Sequence, residues 1–206
     1  MEEYITVIDR NRNPLGVKSR SQIHKDGDWH ETFQCWFIER IKDEMYIHLQ
    51  LRSHTKKDFP SLYDITAAGH LLSGETPEDG VREIKEELGV DVSYEDLHYI
   101  NAIENEISLS QFIDNEIALV YLYEIKKKLL YKFMDQEVEG IIRVKLADFI
   151  KLVNEEKSIT IYEQYSVDGF TLVNGNIKLN NLAPHKKKYF ESVIQGINQY
   201  IQMTSI

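Results

Sequence analysis

The sequence predicts an α/β layered fold, on three observations. Segments with the two-residue alternation of strands and segments with the 3.6-residue period of helices follow one another along the chain. The 206 residues, 42% of them hydrophobic, are enough for one domain with an ordinary core. We find no internal repeat of about 20–50 residues and no low-complexity tract, so solenoids and propellers lose their main support.

Two β-hairpins are predicted near the N-terminus. Residues 4–9 alternate apolar and polar side chains, and turn-forming residues follow as far as Gly16. After a polar loop at 18–31, a second hairpin joins the apolar runs 32–40 and 45–51. The first of these runs is almost continuously apolar, which predicts a central strand.

The best-defined helix is predicted over residues 76–88. Val81, Ile84 and Leu88 share one face, Thr76 can cap the first turn, and Gly89 can end the helix. Later in the chain we expect strands at 97–103, 116–125 and 138–144, a helix at 146–153, short extended pieces between turns at 160–179, and a final amphipathic helix from Pro184 towards Ile201.

Composition and charge exclude several classes of function. The formal charge of −10 opposes nonspecific binding to nucleic acid polymers or anionic lipid. The N-terminus does not have the pattern of a secretory leader, and no run approaches the ~20 apolar residues of a membrane span. Cys35 is the only cysteine, so an internal disulfide is excluded. We therefore expect a cytoplasmic protein with a small-molecule partner.

Three carboxylates line one face of the predicted helix. Glu83, Glu86 and Glu87 are spaced i, i+3, i+4, so their like charges repel one another. A divalent cation that prefers oxygen ligands, such as Mg²⁺ or Mn²⁺, would supply the countercharge. A solvated acidic face is the alternative interpretation of the three glutamates taken alone.

A glycine-containing loop leads into this helix, and loop and helix together read GHLLSGETPEDGVREIKEELGV from Gly69. The segment resembles the Nudix box, whose pattern is G-x5-E-x7-R-E-U-x-E-E-x-G-U, with U a bulky aliphatic residue. Every lettered position is filled, but six residues rather than seven separate Glu75 from Arg82. We therefore expect the turn between loop and helix to be one residue tighter than in the family.

The resemblance implies an α/β/α sandwich with a mixed β-sheet, formed by one domain over residues 1–206, with 155–206 a C-terminal extension that ends in a helix. It also implies that Mg²⁺ or Mn²⁺ is held against a substrate diphosphate. The implied metal ligands are Gly69, through its carbonyl, and Glu83, Glu86 and Glu87, while Arg82 orients a glutamate. Arg82, Glu86 and Glu87 are the implied catalytic residues of this segment.

A second resemblance covers residues 4–144 and is to the isopentenyl diphosphate isomerase branch of the same superfamily. The matching positions implied as metal ligands are His24, His30, His70, Asp114 and Glu116. Glu116 is also a candidate general base. The residues implied to bind the diphosphate are Arg20, Arg52 and Lys56.

One departure from that branch decides the expected reaction. The isomerases carry a catalytic cysteine directly before the Gly-His pair, where this chain has Ala68. Alanine cannot transfer a proton, so we expect a hydrolase that cleaves a diphosphate bond in a nucleoside diphosphate-type or isoprenoid diphosphate-type molecule. An isomerase without the usual cysteine and a nucleotide-binding module without turnover are the alternatives. Whether the chain forms a homodimer is left open.

Overall fold

A computed structural model describes residues 2–109, 112–133, 136–155, 157–166 and 169–204. The strands are β1 (Tyr4–Ile8), β2 (Pro14–Ser19), β3 (Trp29–Ile41), β4 (Glu44–Arg52), β5 (Tyr63–Asp64), β6 (Ala67–His70), β7 (His98–Leu109), β8 (Phe112–Ile125), β9 (Val138–Lys145), β10 (Ile159–Ser166) and β11 (Gly169–Ile177). The α-helices are α1 (Arg20–Asp26), α2 (Arg82–Leu88), α3 (Leu146–Glu155) and α4 (Lys187–Thr204).

Within the described ranges the strands form one mixed sheet, with β3 at its centre. The main path runs β11-β10-β9-β4-β3-β1-β2, and β5, β6, β7 and β8 branch from it. Strand β3 pairs in parallel with β8 and antiparallel with β4 and β6. The expectation that the apolar run 32–40 is a central strand is therefore confirmed.

Side chains of β3 alternate between two hydrophobic cores. Phe33 and Phe37 join the cluster that includes Ile84 and Leu88 of α2. Trp36 joins the cluster formed with α3 and α4 on the opposite face of the sheet. Helices therefore cover both faces, and the expected α/β/α sandwich with a mixed sheet is confirmed.

The principal helix begins later than predicted. A 3₁₀ turn at Asp79–Val81 precedes α2, which starts at Arg82 rather than Thr76. The Asp79 carboxylate accepts hydrogen bonds from the Thr76 backbone N–H at 2.8 Å and from its hydroxyl at 2.7 Å. Thr76 and Asp79 thus form a capping contact, but it closes the 3₁₀ turn before α2 and not the first turn of the α-helix itself.

The polar loop predicted at 18–31 contains helix α1. The Ser19 side chain caps its start by accepting from the Gln22 N–H, and Gly27 ends it in the left-handed conformation, with φ of 71°. Its seven residues are too few for a clear helical period. The sequence signals for this helix are Ser19 at its start and Gly27 at its end.

The hairpin β7–β8 is longer than the strands predicted at 97–103 and 116–125. Its pairing extends to Leu109 opposite Phe112. Asn105, Asp114 and Glu116 interrupt the apolar alternation there, yet all three side chains are buried. The C-terminal region from 159 to 177, predicted only as short extended pieces, is the hairpin β10–β11 at the sheet edge. No helix in the described part of the chain is both long and apolar enough to cross a membrane.

The contact between α4 and β7 provides a test of the fold. A Cβ at Gly196 would lie 2.2 Å from Cγ2 of Ile100. We expect Gly196→Ala to lower the free energy of unfolding by about 1–3 kcal/mol through overpacking, although alanine favours helices over glycine by about 1 kcal/mol. Urea denaturation measures this change, and the exposed Gln195→Ala on the same helix is the control. A Gly196→Ala protein as stable as the wild type would contradict the packing.

Candidate active site

The floor of the candidate site is formed by β3 and its neighbours β6 and β8. In the strand register His30 lies opposite Glu116, Thr32 opposite His70, and Gln34 opposite Ala68. These pairings place side chains from distant parts of the sequence at one end of the same sheet face. The parallel pairing of β3 with β8 thus brings His30 next to Glu116, although the two residues are far apart in the sequence.

A histidine cluster, His24, His30 and His70, stands on this floor. Helix α1 contributes His24, β3 contributes His30 and β6 contributes His70, and their ring centroids lie 5.2–5.4 Å apart. Each residue offers one nitrogen within 4.8 Å of the others. Burial lowers the pKa of His30 and, more strongly, of His70, so both imidazoles favour the neutral form that binds metal ions.

Two nitrogens of this cluster lie close to the carboxylate of Asp114 without forming hydrogen bonds. Nε2 of His24 is 3.3 Å and Nε2 of His30 is 3.4 Å from Oδ1 of Asp114. The three histidine Nε2 atoms and Asp114 Oδ1 are buried and have no hydrogen-bond partner among the described residues. Buried polar atoms are rarely left unpaired in folded proteins. A cation coordinated by these atoms would satisfy them, so the residues present fit a divalent metal ion.

The tautomer of His30 agrees with this interpretation. Its Nδ1 lies 3.2 Å from the carbonyl oxygen of Asp28, which accepts hydrogen bonds and cannot donate them. Nδ1 therefore carries the proton, and the lone pair is on Nε2, the atom that faces Asp114. Such a hydrogen bond on the outer nitrogen is the usual way to orient a metal-binding histidine.

Glu116 lies beside the histidine cluster and is held by two amides. Its Oε2 accepts from Asn105 Nδ2 at 3.0 Å and from Gln34 Nε2 at 3.2 Å. Burial and the neighbouring charge of Asp114 raise the pKa of Glu116 well above its ordinary value. A buried carboxyl held in this way can bind a cation or take part in proton transfer.

The glutamates of α2 approach the same cavity from the other side. Glu87 is buried and its Oε2 accepts from the Ala68 N–H at 3.1 Å and from Gln50 Nε2 at 3.3 Å. Glu83 packs so closely on Gly69 that a Cβ there would lie 2.1 Å from the Glu83 carboxyl carbon. Burial raises the pKa of Glu83 to about 7 and that of Glu87 to about 8. A side chain at position 69 would therefore displace the Glu83 carboxylate.

Arg82 connects the loop to the helix. Its guanidinium donates two hydrogen bonds to Glu75, at 2.7 and 2.8 Å, one to Glu83 at 2.5 Å, one to Glu86 at 3.1 Å and one to the His70 carbonyl at 3.1 Å. The turn that is one residue shorter therefore still brings Glu75 to Arg82. Arg82 also supplies positive charge between Glu83 and Glu86.

The three helix carboxylates do not converge on one point. Among the described residues, the groups of three metal-ligating side chains within 4.8 Å are the histidine cluster and His30 with Asp114 and Glu116. Glu86 is 59% exposed, whereas Glu87 is buried. The helix carboxylates nevertheless line one cavity of about 1390 Å³ together with His24 and His70 of the histidine cluster.

The predicted diphosphate-binding residues line this cavity and are already paired with protein groups. Arg52 donates to Asp64 at 3.0 Å and to the carbonyls of residues 58 and 59. Lys56 pairs with Glu137, and Arg20 lies 3.2 Å from Asp58. Their placement is compatible with phosphate binding, but in this structure Arg52 chiefly holds the loop that follows β4.

Cys35 does not substitute for the missing cysteine. It pairs with Ala67, whereas Ala68 pairs with Gln34, and adjacent residues of a strand face opposite sides of the sheet. The Cys35 thiol is fully buried in the core on the side of α2, and burial raises its pKa well above the ordinary value.

Several site residues were not predicted from the sequence. Gln34, Asp64, Asn105, His185 and Tyr189 form a connected set of hydrogen bonds around Glu116 and Arg52. No local motif marks them. The available signals were polar residues inside apolar strands and a histidine directly after Pro184.

Comparison with known proteins identifies a family that the chain resembles over most of its length. A model of the NUDIX domain matches residues 25–164. An uncharacterised Nudix hydrolase of Clostridium acetobutylicum is 31% identical over 200 residues, covering 95% of this chain and 97% of that protein. An isopentenyl-diphosphate Delta-isomerase of Citrobacter koseri is 27% identical over 149 residues, covering 68% of this chain and 78% of the isomerase.

A solved structure shows the same fold. The crystal structure of a MutT/nudix family protein from Enterococcus faecalis superposes with a TM-score of 0.54 at 18% identity, covering 84% of this chain and 62% of that one. The domain match spans more than half of the chain, and the Clostridium relative aligns over nearly all of it. Together with the filled box and the site around it, these similarities establish that the chain belongs to the Nudix hydrolase family.

Proposed function

We propose that this protein hydrolyses a diphosphate bond in a small molecule of the nucleoside diphosphate or isoprenoid diphosphate type, with Mg²⁺ or Mn²⁺ as cofactor. The observation that carries the proposal is the set of buried ligand atoms on His24, His30, His70 and Asp114 that have no hydrogen-bond partner among the described residues. His24, His70 and Asp114 line the same cavity as the glutamates of α2. Two cation positions are proposed, one at each wall of that cavity.

The donor atoms of the two walls differ in kind. The histidine cluster with Asp114 and Glu116 mixes imidazole nitrogen and carboxylate oxygen, a set suited to Mn²⁺. Gly69, Glu83, Glu86 and Glu87 offer oxygen alone, a set suited to Mg²⁺. When bound, such ions lower the pKa of water and neutralise charge on a diphosphate.

Several residues would act directly on the substrate or on the groups that do. Glu116 would accept a proton, because its carboxyl is buried beside the histidine cluster. Arg82 would hold Glu83 and Glu86 in place through its hydrogen bonds to both carboxylates. Arg20, Arg52 and Lys56 would contact phosphate oxygens, which a chain of net charge −10 otherwise repels. We also propose that the chain is a single domain and acts in the cytoplasm.

A second candidate activity is isomerisation, since the Citrobacter relative carries the name of an isopentenyl-diphosphate isomerase. Ala68 argues against it, because no thiol of the described chain occupies that face of the site. Conversion of isopentenyl to dimethylallyl diphosphate without phosphate release would favour it. Tight nucleotide binding with no product under any metal would instead favour a binding module.

The first test is release of phosphate or diphosphate from a panel of substrates. The panel contains nucleoside di- and triphosphates, dinucleotides, ADP-ribose and isopentenyl diphosphate, each with Mg²⁺ or Mn²⁺. We expect metal-dependent release that falls roughly 100-fold in Glu87→Gln, because a cation ligand is lost. Glu78→Gln, an exposed carboxylate just before the helix, is the control and keeps activity. Wild-type turnover in Glu86→Gln and Glu87→Gln would refute the hydrolytic assignment.

Metal binding by the histidine cluster can be measured without a substrate. We expect His70→Gln to weaken Mn²⁺ binding at least about 10-fold in isothermal titration calorimetry, because one nitrogen ligand is lost. His54→Gln, whose side chain is 74% exposed, is the matched control. Unchanged Mn²⁺ affinity in His70→Gln would show that the cluster is not the cation site.

The raised pKa of Glu87 leads to a pH-dependent prediction for the metal-free protein. The pKa of this carboxyl is 4.5 when unperturbed and about 8 in the fold. Between these pH values the folded state therefore binds more protons than the unfolded state. The free energy of unfolding therefore falls as pH rises through this window. We expect the Tm of Glu87→Gln, relative to wild type in EDTA, to rise between about pH 5.5 and about pH 8.5.

The exposed Glu86→Gln on the same helix is the control, and its Tm relative to wild type should change less over the same range. A difference between Glu87→Gln and wild type that stays constant with pH would contradict the buried, protonated state of Glu87.

A further inference from the structure

The C-terminal segment enters the candidate site directly before α4. The Ala183 N–H donates to the carbonyl of Tyr63 at 2.8 Å, which fixes the chain beside β5. Two residues later, the ring of His185 stacks on that of Tyr189 with centroids 4.8 Å apart. Both side chains are buried, and His185 lines the cavity that also contains Glu116.

On one side His185 is bound to a buried carboxylate. Its Nε2 lies 2.8 Å from Oδ1 of Asp64, and Oδ2 of Asp64 accepts from Arg52 at 3.0 Å. Burial raises the pKa of the Asp64 carboxyl, but His185 and Arg52 outweigh that effect and the net shift is downward. Because a carboxylate accepts and does not donate, the proton of this hydrogen bond is on Nε2.

On its other side His185 faces an amide that holds Glu116. Nδ1 of His185 is 3.1 Å from Nδ2 of Asn105, and the same Nδ2 is 3.0 Å from Oε2 of Glu116. An amide nitrogen has two hydrogens to donate, so one goes to the imidazole and one to the carboxylate. Asn105 Oδ1 is buried and has no hydrogen-bond partner in the described structure. The two N–H bonds are therefore what orients this amide.

Gln34, the second amide that donates to Glu116, is also oriented by the C-terminal segment. Gln34 donates to Glu116 through Nε2, and its Oε1 accepts from the hydroxyl of Tyr189. That hydroxyl in turn accepts from the indole N–H of Trp36 at 3.3 Å. Both described donors to Glu116 are thus oriented by residues four apart in the C-terminal segment.

We propose that His185 and Tyr189 are positioning residues of the active site, which orient Asn105 and Gln34 so that these amides hold the Glu116 carboxylate in place for its cation. The inference rests on the proposed role of Glu116 and adds two residues outside the Nudix box. It makes the start of α4 part of the site, through hydrogen bonds and without contact with the substrate.

The test measures binding of Mn²⁺ alone by calorimetry, together with thermal unfolding, on the full chain. Tyr189→Phe removes one hydroxyl and retains the ring, and His185→Leu removes both nitrogens. We expect each to weaken Mn²⁺ binding by roughly 10–100-fold, as for other groups that orient metal ligands. His185→Asn places an amide oxygen near the position of Nδ1, so it can still accept from Asn105 and should recover much of the affinity.

Two control variants remove equivalent groups away from the site. Tyr200→Phe deletes a hydroxyl on α4 that donates to Glu124 at 3.0 Å. His98→Asn removes an imidazole whose ring lies against Tyr200, 5.0 Å away. Both should bind Mn²⁺ like the wild type. The unfolding curve of each variant shows whether that protein is folded. A variant that has lost its fold is left out of the comparison of affinities.

A double-mutant cycle separates positioning from general stability. In a Glu116→Gln background, Tyr189→Phe should cause little further loss of Mn²⁺ affinity, because the carboxylate it positions is already absent. Equal losses in the two backgrounds would overturn the inference, as would wild-type affinity in both Tyr189→Phe and His185→Leu.

The proposed function is tested separately, by the release of phosphate or diphosphate from the substrate panel. A wild-type protein that binds Mn²⁺ and cleaves nothing would remove the hydrolytic function and leave this inference to be decided by the affinities. A wild-type protein that binds no Mn²⁺ would overturn this inference, and the substrate panel with Mg²⁺ would then decide the hydrolytic function by itself.

Discussion

The parallel pairing of β3 with β8 is the constraint from which the rest of the site follows. It runs without a break from Trp29 opposite Asn115 to Glu39 opposite Ile125. Because strand side chains alternate between faces, the same pairing puts His30 beside Glu116 at one end and Trp36 beside Leu122 in the core. A slip of one residue would move both the core and the site to the wrong face, so the packing of the core also sets the register of the site.

This arrangement lowers the stability of the fold, because it buries ionisable groups. His30, Asp114 and Glu116 occupy positions in the sheet that apolar residues would otherwise fill, and Glu87 is buried under Gln50 and Ala68. Burial raises the pKa of Glu116 and of Glu87, because it disfavours their ionised forms. The site therefore resembles other functional sites, where groups with perturbed pKa values are retained against the demands of stability.

The C-terminal segment contributes side chains to the site, although it lies far from the Nudix box in the sequence. Helix α4 packs its apolar face on the sheet opposite α2, in the same cluster as Trp36. Tyr189 belongs both to that cluster and to the hydrogen bonds that reach Glu116. Docking of this helix thus couples a large hydrophobic contact to the orientation of a few polar groups.

The sequence by itself determined the alternation of strands and helices, the central apolar strand at 32–40 and the grouping of Arg82 with three glutamates, because these depend on local periodicity and on a contiguous motif. The resemblance also named the histidines. Only the tertiary structure decided that Asn105 holds Glu116, that His185 joins Asn105 to Asp64, and that Arg52 is turned towards Asp64. Those contacts join residues 11 to 121 positions apart, and such distances leave no periodic trace in a sequence.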